Sequence, residues 1–200
     1  MPMGRRETMA RYAPLLVACM LAGLVAFPFI RGLTSDDAPS MTGAQVGGHF
    51  SLQSADGVFE SSGLDQELML IYFGYTYCPD ICPTDLARMA AVVNGLEADA
   101  DRVQGLFVTV DPERDTVDLV TEYARAFNSE FIGLSGSQAQ IEPVMRQYQV
   151  YAAKVGDEPT DYLVDHTSRI YLMNRDAELL ALFSMDTEIG DMIEEVQRFL

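Results

Sequence analysis

The fold of this chain is decided by residues 68–83, which read LMLIYFGYTYCPDICP. The first six residues are uninterruptedly apolar, a pattern typical of a strand that is buried on both faces of a parallel sheet. Pro83 closes the stretch and suits the first turn of a helix. The stretch therefore predicts a buried strand that runs into a helix through a loop carrying Cys78 and Cys82.

The rest of the chain from residue 47 onward alternates short apolar blocks with one-sided helical stripes. We expect a small hairpin, four further strands and four helices: the hairpin from 49–52 and 58–60, strands at 106–110, 131–134, 170–173 and 179–183, and helices at 83–99, 117–127, 141–148 and 189–200. Without a strand–helix insertion at about 131–154, the order is β-α-β-α-β-β-α with an antiparallel hairpin last. This is the thioredoxin topology, so residues 47–200 are expected to form an α/β thioredoxin-like domain.

Composition and charge exclude several classes of protein. The 200 residues are 48% apolar and 22% charged, which is ordinary for one globular domain. The net charge is −17, and residues 32–200 alone carry nine basic and 29 acidic residues. Such a body repels phosphate backbones, so nucleic-acid binding is not expected.

Residues 13–30, APLLVACMLAGLVAFPFI, contain no charge. A helix of this length, at ~1.5 Å per residue, reaches about the thickness of a bilayer's hydrocarbon core, so one transmembrane anchor is predicted. A cleaved signal peptide is the alternative, and it is less favoured because no small-x-small cleavage pattern precedes Arg31. Cys19 falls within this span and is expected to be a lipid-facing or buried side chain.

The arginines around the predicted anchor indicate its orientation. Three arginines precede the span and one follows it, which favours a cytoplasmic N-terminus. We therefore expect a single-pass inner-membrane protein with a cytoplasmic tail (1–12), an anchor (13–30), a polar linker (31–46) and a body outside the cytoplasm, which is the periplasm if the cell is Gram-negative.

The cysteine pair lies where chemistry is expected in an open α/β sheet. Cys78 and Cys82 fall between the carboxyl end of a buried strand and the start of a helix. We expect Cys82 at or beside the helix N-cap, where free N–H groups and the helix dipole favour a thiolate. On spacing alone, a metal site, a redox pair and a stabilising disulfide all remain open.

His166 has a geometric reason to join the cysteines. The strand that starts near residue 168 is expected to run antiparallel to 68–73, which brings Asp165 and His166 beside the cysteine loop. Two sulfurs and one nitrogen form a soft, three-ligand set, which three-coordinate Cu(I) fits best. An iron–sulfur cluster normally needs four cysteines, and structural zinc needs a fourth ligand. Zinc therefore stays open if one further side chain completes the shell: His49, Asp80, Asp111 or Asp165.

Three ordered motifs carry a resemblance to a known family. They are FGYTYCPDICP at 73–83, FVTVDPERDT at 107–116, and VDHT at 164–167 followed by IYLM at 170–173. Together they resemble the Sco/SenC family of membrane-anchored, thioredoxin-like copper proteins. The resemblance implies that Cys78, Cys82 and His166 are ligands of Cu(I), and members of the family also bind Cu(II).

The resemblance also implies a function and partners. It implies a metallochaperone that delivers copper to the dinuclear copper A subunit of cytochrome c oxidase, with other periplasmic copper carriers or thiol–disulfide proteins as further partners. A thiol–disulfide oxidoreductase that keeps the oxidase's cysteines reduced is the alternative, and a structural disulfide in a sensing module is a third. Asp111 is expected either to support the site or to belong only to the start of the 116–127 helix, and His49 is expected to have no role.

Overall fold

The computed structural model describes residues 46–156 and 161–200. The predicted tail, the anchor and all but the last residue of the linker lie outside these residues, so they stay predictions. Within the described part of the chain, no helix is long and apolar enough to cross a membrane.

The described residues form nine strands and four α-helices, and most of the predicted elements are present. The strands are β1 (Ser51–Ser54), β2 (Gly57–Glu60), β3 (Leu68–Gly74), β4 (Val103–Thr109), β5 (Ile132–Leu134), β6 (Ala152–Val155), β7 (Leu163–His166), β8 (Ile170–Asn174) and β9 (Leu179–Phe183). The helices are α1 (Ile81–Gly95), α2 (Val117–Phe127), α3 (Gln138–Gln147) and α4 (Ile189–Gln197).

The central sheet has five strands in the order β5-β4-β3-β8-β9. β3 pairs with β4 in parallel and with β8 in antiparallel register, in which Tyr72 faces Ile170. Every residue of β3 and β4 is buried, as the apolar blocks predict for strands that are covered on both faces. The α/β thioredoxin-like arrangement predicted from the sequence is therefore present.

Helix α1 differs from its prediction at both ends. It begins at Ile81 rather than Pro83, so Cys82 lies inside its first turn and Asp80 is the N-cap residue. Pro83 is tolerated at the third position because an N–H in the first turn has no acceptor within the helix. The helix ends at Gly95, and a 3₁₀ turn over Glu97–Arg102 continues to β4.

The insertion is longer than predicted. Its first strand, β5, pairs in parallel with β4 and extends the central sheet. After α3, β6 and β7 form a separate antiparallel hairpin that the sequence analysis missed, and this hairpin ends at His166. Each of its strands has only four residues, too few for a period-two pattern to be recognised.

Gly133 is required by the close approach of β5 to α2. A Cβ atom at this position would lie 2.2 Å from the backbone oxygen of Val120, which cannot move without bending the helix. We expect Gly133→Ala to lower the free energy of unfolding by about 1–3 kcal/mol, as overpacking does in a close-packed interior. Urea denaturation measures this change. Gly63→Ala is the matched control, because a Cβ there meets no atom within 4 Å; an equal loss in both variants would contradict the packing argument.

Candidate metal centre

The loop between β3 and α1, residues 75–80, places the two cysteines at different depths. The Cys78 backbone N–H donates to the Tyr75 carbonyl at 3.3 Å, which turns the chain back towards the sheet. Cys78 is half-buried, whereas the Cys82 side chain is fully buried in the first turn of α1. Both are free thiols.

His166 reaches the cysteines from the end of the β6–β7 hairpin. Its Nε2 atom lies 3.3 Å from the Cys82 sulfur. The imidazole packs edge-on against the rings of Tyr72 and Tyr75, with ring centroids 6.2 and 5.8 Å away. The predicted meeting of His166 with the cysteine loop is confirmed, and the histidine is the last residue of strand β7.

The three side chains form a compact cluster of potential ligands. The two sulfur atoms and one imidazole nitrogen all lie within 4.8 Å of one another. Among the described residues, this is the only cluster of three or more cysteine, histidine or acidic side chains that could hold a metal ion. No fourth such group is part of it.

The helix N-terminus acts on Cys78, and the expectation that it would favour a Cys82 thiolate is wrong. Partial burial raises the pKa of Cys78, but the backbone N–H groups of residues 80–82 and the Cys82 thiol together outweigh it, and the net pKa is lowered. The N–H of Cys82 itself points at the Cys78 sulfur, at 3.4 Å. Burial instead raises the pKa of Cys82, and the neighbouring Cys78 sulfur raises it further. Cys78 is therefore the more acidic and more accessible thiol.

The His166 ring is held in one tautomer. Its Nδ1 atom lies 3.2 Å from the Thr167 carbonyl oxygen, which can only accept a hydrogen bond, so Nδ1 carries the proton. Burial lowers the pKa of His166, although the hydrogen bond to Thr167 opposes this effect. The neutral ring therefore presents the lone pair of Nε2 to the cysteines, the form in which histidine binds metals.

Asp111 is not a ligand, because both of its oxygens are used in the loop 111–115. Arg114 Nε donates to Asp111 Oδ2 at 2.5 Å, and the Tyr162 hydroxyl donates to Asp111 Oδ1 at 2.8 Å. The Arg114 guanidinium also lies over the rings of Tyr162 and Tyr77, at 3.6 and 4.9 Å from the centroids. Since Tyr77 precedes Cys78 and Tyr162 precedes β7, this loop fastens the cysteine loop to the histidine hairpin.

Asp115 holds the cysteine loop through hydrogen bonds to Thr76, and the sequence analysis missed it. It is fully buried and accepts hydrogen bonds from the Thr76 backbone N–H, the Thr76 hydroxyl and the Thr109 hydroxyl, at 3.1, 2.5 and 2.6 Å. Burial raises its pKa, and the three donors oppose this effect. In the sequence Asp115 belongs to the 107–116 motif, but nothing there distinguishes it from the neighbouring acidic residues Asp111 and Glu113. The N-cap of α2 is Thr116, whose hydroxyl oxygen accepts a hydrogen bond from the Leu119 backbone N–H.

The other proposed zinc ligands do not join the cluster. His49 lies in the N-terminal segment, where its Nδ1 is 3.3 Å from the Ser61 hydroxyl. Asp80 and Asp165 are exposed and belong to no metal-binding group. The tetrahedral zinc site that these residues would have completed is therefore not formed.

Comparison with known proteins agrees with this geometry. A family model described as SCO1/SenC matches residues 38–200. The chain belongs to the SCO1/SenC family. Among curated relatives, a SCO2-like protein of Rickettsia conorii is 34% identical over 190 residues, which cover 90% of this chain and 93% of the relative. SCO1 homolog 1 of Arabidopsis thaliana mitochondria is 38% identical over 162 residues, which cover 80% of this chain but only 48% of the longer Arabidopsis protein.

Solved structures of other SCO1/SenC proteins share the fold, and some contain copper. The copper-bound ScoI structure from Arabidopsis thaliana has a TM-score of 0.71 and 37% identity, and the match covers 77% of this chain and 97% of that one. Copper-bound ScoI from Bradyrhizobium japonicum also has a TM-score of 0.71, with 39% identity, covering 78% and 99%. BsSco has 27% identity and a TM-score of 0.60, and the match covers 78% of this chain and 92% of that one. A disulfide switch has been identified in BsSco, which is a member of the Sco family of cytochrome c oxidase assembly proteins.

The donor atoms in the cluster suit copper. Two thiolates and a neutral imidazole are soft or borderline ligands, and three of them satisfy Cu(I) without a fourth. The cluster also has the outer support that metal sites commonly show, since the non-binding nitrogen of His166 donates to a backbone carbonyl.

The difference in depth between the two thiols predicts a difference in reactivity. Limited alkylation of the folded, metal-free chain with iodoacetamide should modify Cys78 first and reach Cys82 only after unfolding, because Cys82 has no exposed surface. Fragment mass spectrometry assigns the modified residue. The same reaction in urea is the control, where both thiols should react alike; faster labelling of Cys82 in the folded chain would contradict the assignment.

Proposed function

We propose that this chain is a membrane-anchored copper metallochaperone, which delivers copper to the dinuclear copper A site during assembly of cytochrome c oxidase. The observation that carries the proposal is the cluster of Cys78, Cys82 and His166, whose three potential ligand atoms lie within 4.8 Å of one another. Copper in related structures of the same fold supports the choice of metal, and the description of BsSco as an assembly protein supports the choice of process.

Copper is the cargo in this proposal, and the three side chains divide the work of holding it. Cys78 and Cys82 supply thiolate sulfurs, and His166 supplies Nε2. Binding releases the thiol protons, so copper affinity falls as the pH decreases. Because Cys78 is the accessible ligand, an incoming thiolate of the copper A subunit exchanges there first. Copper passes to the partner by ligand exchange, so this chain does not need to catalyse a reaction.

The proposed location of the chain in the cell rests on the amino-acid sequence. The uncharged span at 13–30 anchors the chain in the inner membrane with its N-terminus in the cytoplasm, and the body lies in the periplasm. There the acidic body, with 29 acidic and nine basic residues from 32 to 200, would favour basic surfaces on its partners, the copper A subunit and other copper carriers or thiol–disulfide proteins.

Copper titration of the purified full-length chain tests this proposal. Under reducing, anaerobic conditions, with a chromogenic chelator as competitor, we expect one Cu(I) per chain. Cys78→Ser and Cys82→Ser should each abolish binding. Either variant keeps only one thiolate and the imidazole, and the hard oxygen of serine is a poor ligand for Cu(I). His49→Ala is the control, because His49 lies beside Ser61 and is not part of the cluster. Retention of one Cu(I) by either cysteine variant would contradict the ligand assignment.

Thiol–disulfide exchange is the second candidate function, and the unequal thiols favour it. An accessible thiol of lowered pKa beside a buried one is the arrangement in which the first attacks a partner disulfide and the second resolves the mixed disulfide. In that function, electrons pass from the two thiols of this chain to the partner's cysteines, and the chain is left with a Cys78–Cys82 disulfide. His166 is not required for this exchange.

His166→Ala separates the two functions. We expect it to weaken Cu(I) binding strongly while leaving the rate of disulfide exchange with a model disulfide such as DTNB almost unchanged. The competition titration and the release of the coloured thiolate measure the two activities on the same preparation. Unaltered Cu(I) affinity in this variant would refute the three-ligand site, whereas loss of both activities would show that the histidine also supports the thiols.

A further inference from the structure

We propose that Asp85 and Ser168 are positioning residues, which hold the His166 imidazole in its ligand geometry through one hydrogen bond from Ser168 to Asp85. The inference rests on the proposed copper site and adds a part to it that lies outside the three ligands. It rests on the contact between Asp85 and Ser168, each of which lies close in the chain to a ligand. Asp85 follows Cys82 by three residues on α1, and Ser168 follows His166 by two residues before β8.

Asp85 is a buried carboxylate on the helix that carries a ligand. Its exposure is only 2%, and the helical repeat places it on the same buried face as Cys82. The Ser168 hydroxyl donates to Asp85 Oδ2 at 2.7 Å. This bond ties the segment just after His166 directly to the first turns of α1.

The tie reaches the imidazole through a single peptide group. His166 Nδ1 donates to the carbonyl oxygen of Thr167 at 3.2 Å, and that carbonyl belongs to the peptide bond between Thr167 and Ser168. A planar peptide group moves as a unit. Fixing Ser168 therefore fixes the acceptor that orients the His166 ring and keeps Nε2 directed at the Cys82 sulfur, 3.3 Å away.

Further contacts hold the tie in place. Arg88 donates to Asp85 Oδ1 at 2.8 Å, so each carboxylate oxygen has a donor. The Tyr72 and Ser168 hydroxyl oxygens are 3.2 Å apart. Because the Ser168 proton is committed to Asp85, Tyr72 is the donor in that bond. A buried carboxylate with both oxygens hydrogen-bonded has little freedom to move, which is what a positioning residue requires.

Because this network lies directly behind the His166 ring, its loss should lower the affinity for copper as well as the stability of the fold. Partners behind a metal-binding histidine set its orientation, and their removal typically lowers metal affinity by ~10–100-fold. Ser168→Ala removes the tie while it keeps the backbone and all three ligands. We expect this variant to bind one Cu(I) with an affinity ~10–100-fold below that of the unaltered chain.

The test is a double-mutant cycle with His166, measured by anaerobic competition for Cu(I) on the full-length chain. If Ser168 acts through the histidine, Ser168→Ala should have almost no effect in a His166→Ala background. Ser168→Thr keeps a hydroxyl and should restore most of the affinity. Ser54→Ala is the matched control, because it removes one hydroxyl hydrogen bond, to the Gly57 carbonyl, in the β1–β2 hairpin.

The measured Cu(I) affinities of these variants decide between the possible roles of Ser168. Weaker binding that vanishes in the His166→Ala background and is rescued by threonine supports the proposal. Unchanged affinity in Ser168→Ala, or an equal loss with and without His166, overturns it while the copper site itself stands. Failure of the unaltered chain to bind Cu(I) overturns both this proposal and the proposed function.

Discussion

The antiparallel pairing of β3 with β8 is the interaction on which the metal centre depends. Tyr72 faces Ile170 in this register, so the chain leaves β3 towards the cysteine loop at the same edge where it enters β8 after His166. A slip of one residue would exchange the side chains of β8 between the two faces of the sheet. Both faces are buried, so differently shaped side chains would then meet close-packed neighbours that do not fit them. The apolar core therefore determines how close the histidine comes to the cysteines, although none of the three ligands belongs to the central sheet.

The buried aspartates of the described residues each fasten a ligand-bearing segment to a neighbouring part of the chain. Asp115 holds the cysteine loop through Thr76, and Asp85 holds the segment after His166 through Ser168. Asp111 and Arg114 connect the cysteine loop to the β6–β7 hairpin. A buried carboxylate is tolerated only when its oxygens are hydrogen-bonded, and all three aspartates meet this condition. The surplus of acidic residues is otherwise mostly exposed, so the net charge and the site are separate properties of the chain.

The candidate ligands could be predicted from the sequence, but their unequal character could not. An apolar block before Cys78 and the thioredoxin order of elements were enough to bring His166 to the cysteine loop. Which thiol is the more acidic depends on where α1 begins. Because the helix starts at Ile81, its first N–H groups point at Cys78 and leave Cys82 buried. The β6–β7 hairpin was also beyond prediction, since its four-residue strands are stabilised by contacts such as that between Tyr162 and Asp111, and not by a pattern of their own.

The sequence by itself determined the features that depend on near neighbours: the buried strands, the one-sided helices, the spacing of the cysteines and the α/β order that follows from them. Those features have a local period, and a period can be recognised without knowing the fold. Only the tertiary structure decided which polar groups meet around the three ligands. Asp115 and Thr76 are 39 positions apart, Asp111 and Tyr162 are 51 apart, and Asp85 and Ser168 are 83 apart. No local pattern pairs such residues, because their contacts form only after the apolar core has brought the strand ends together.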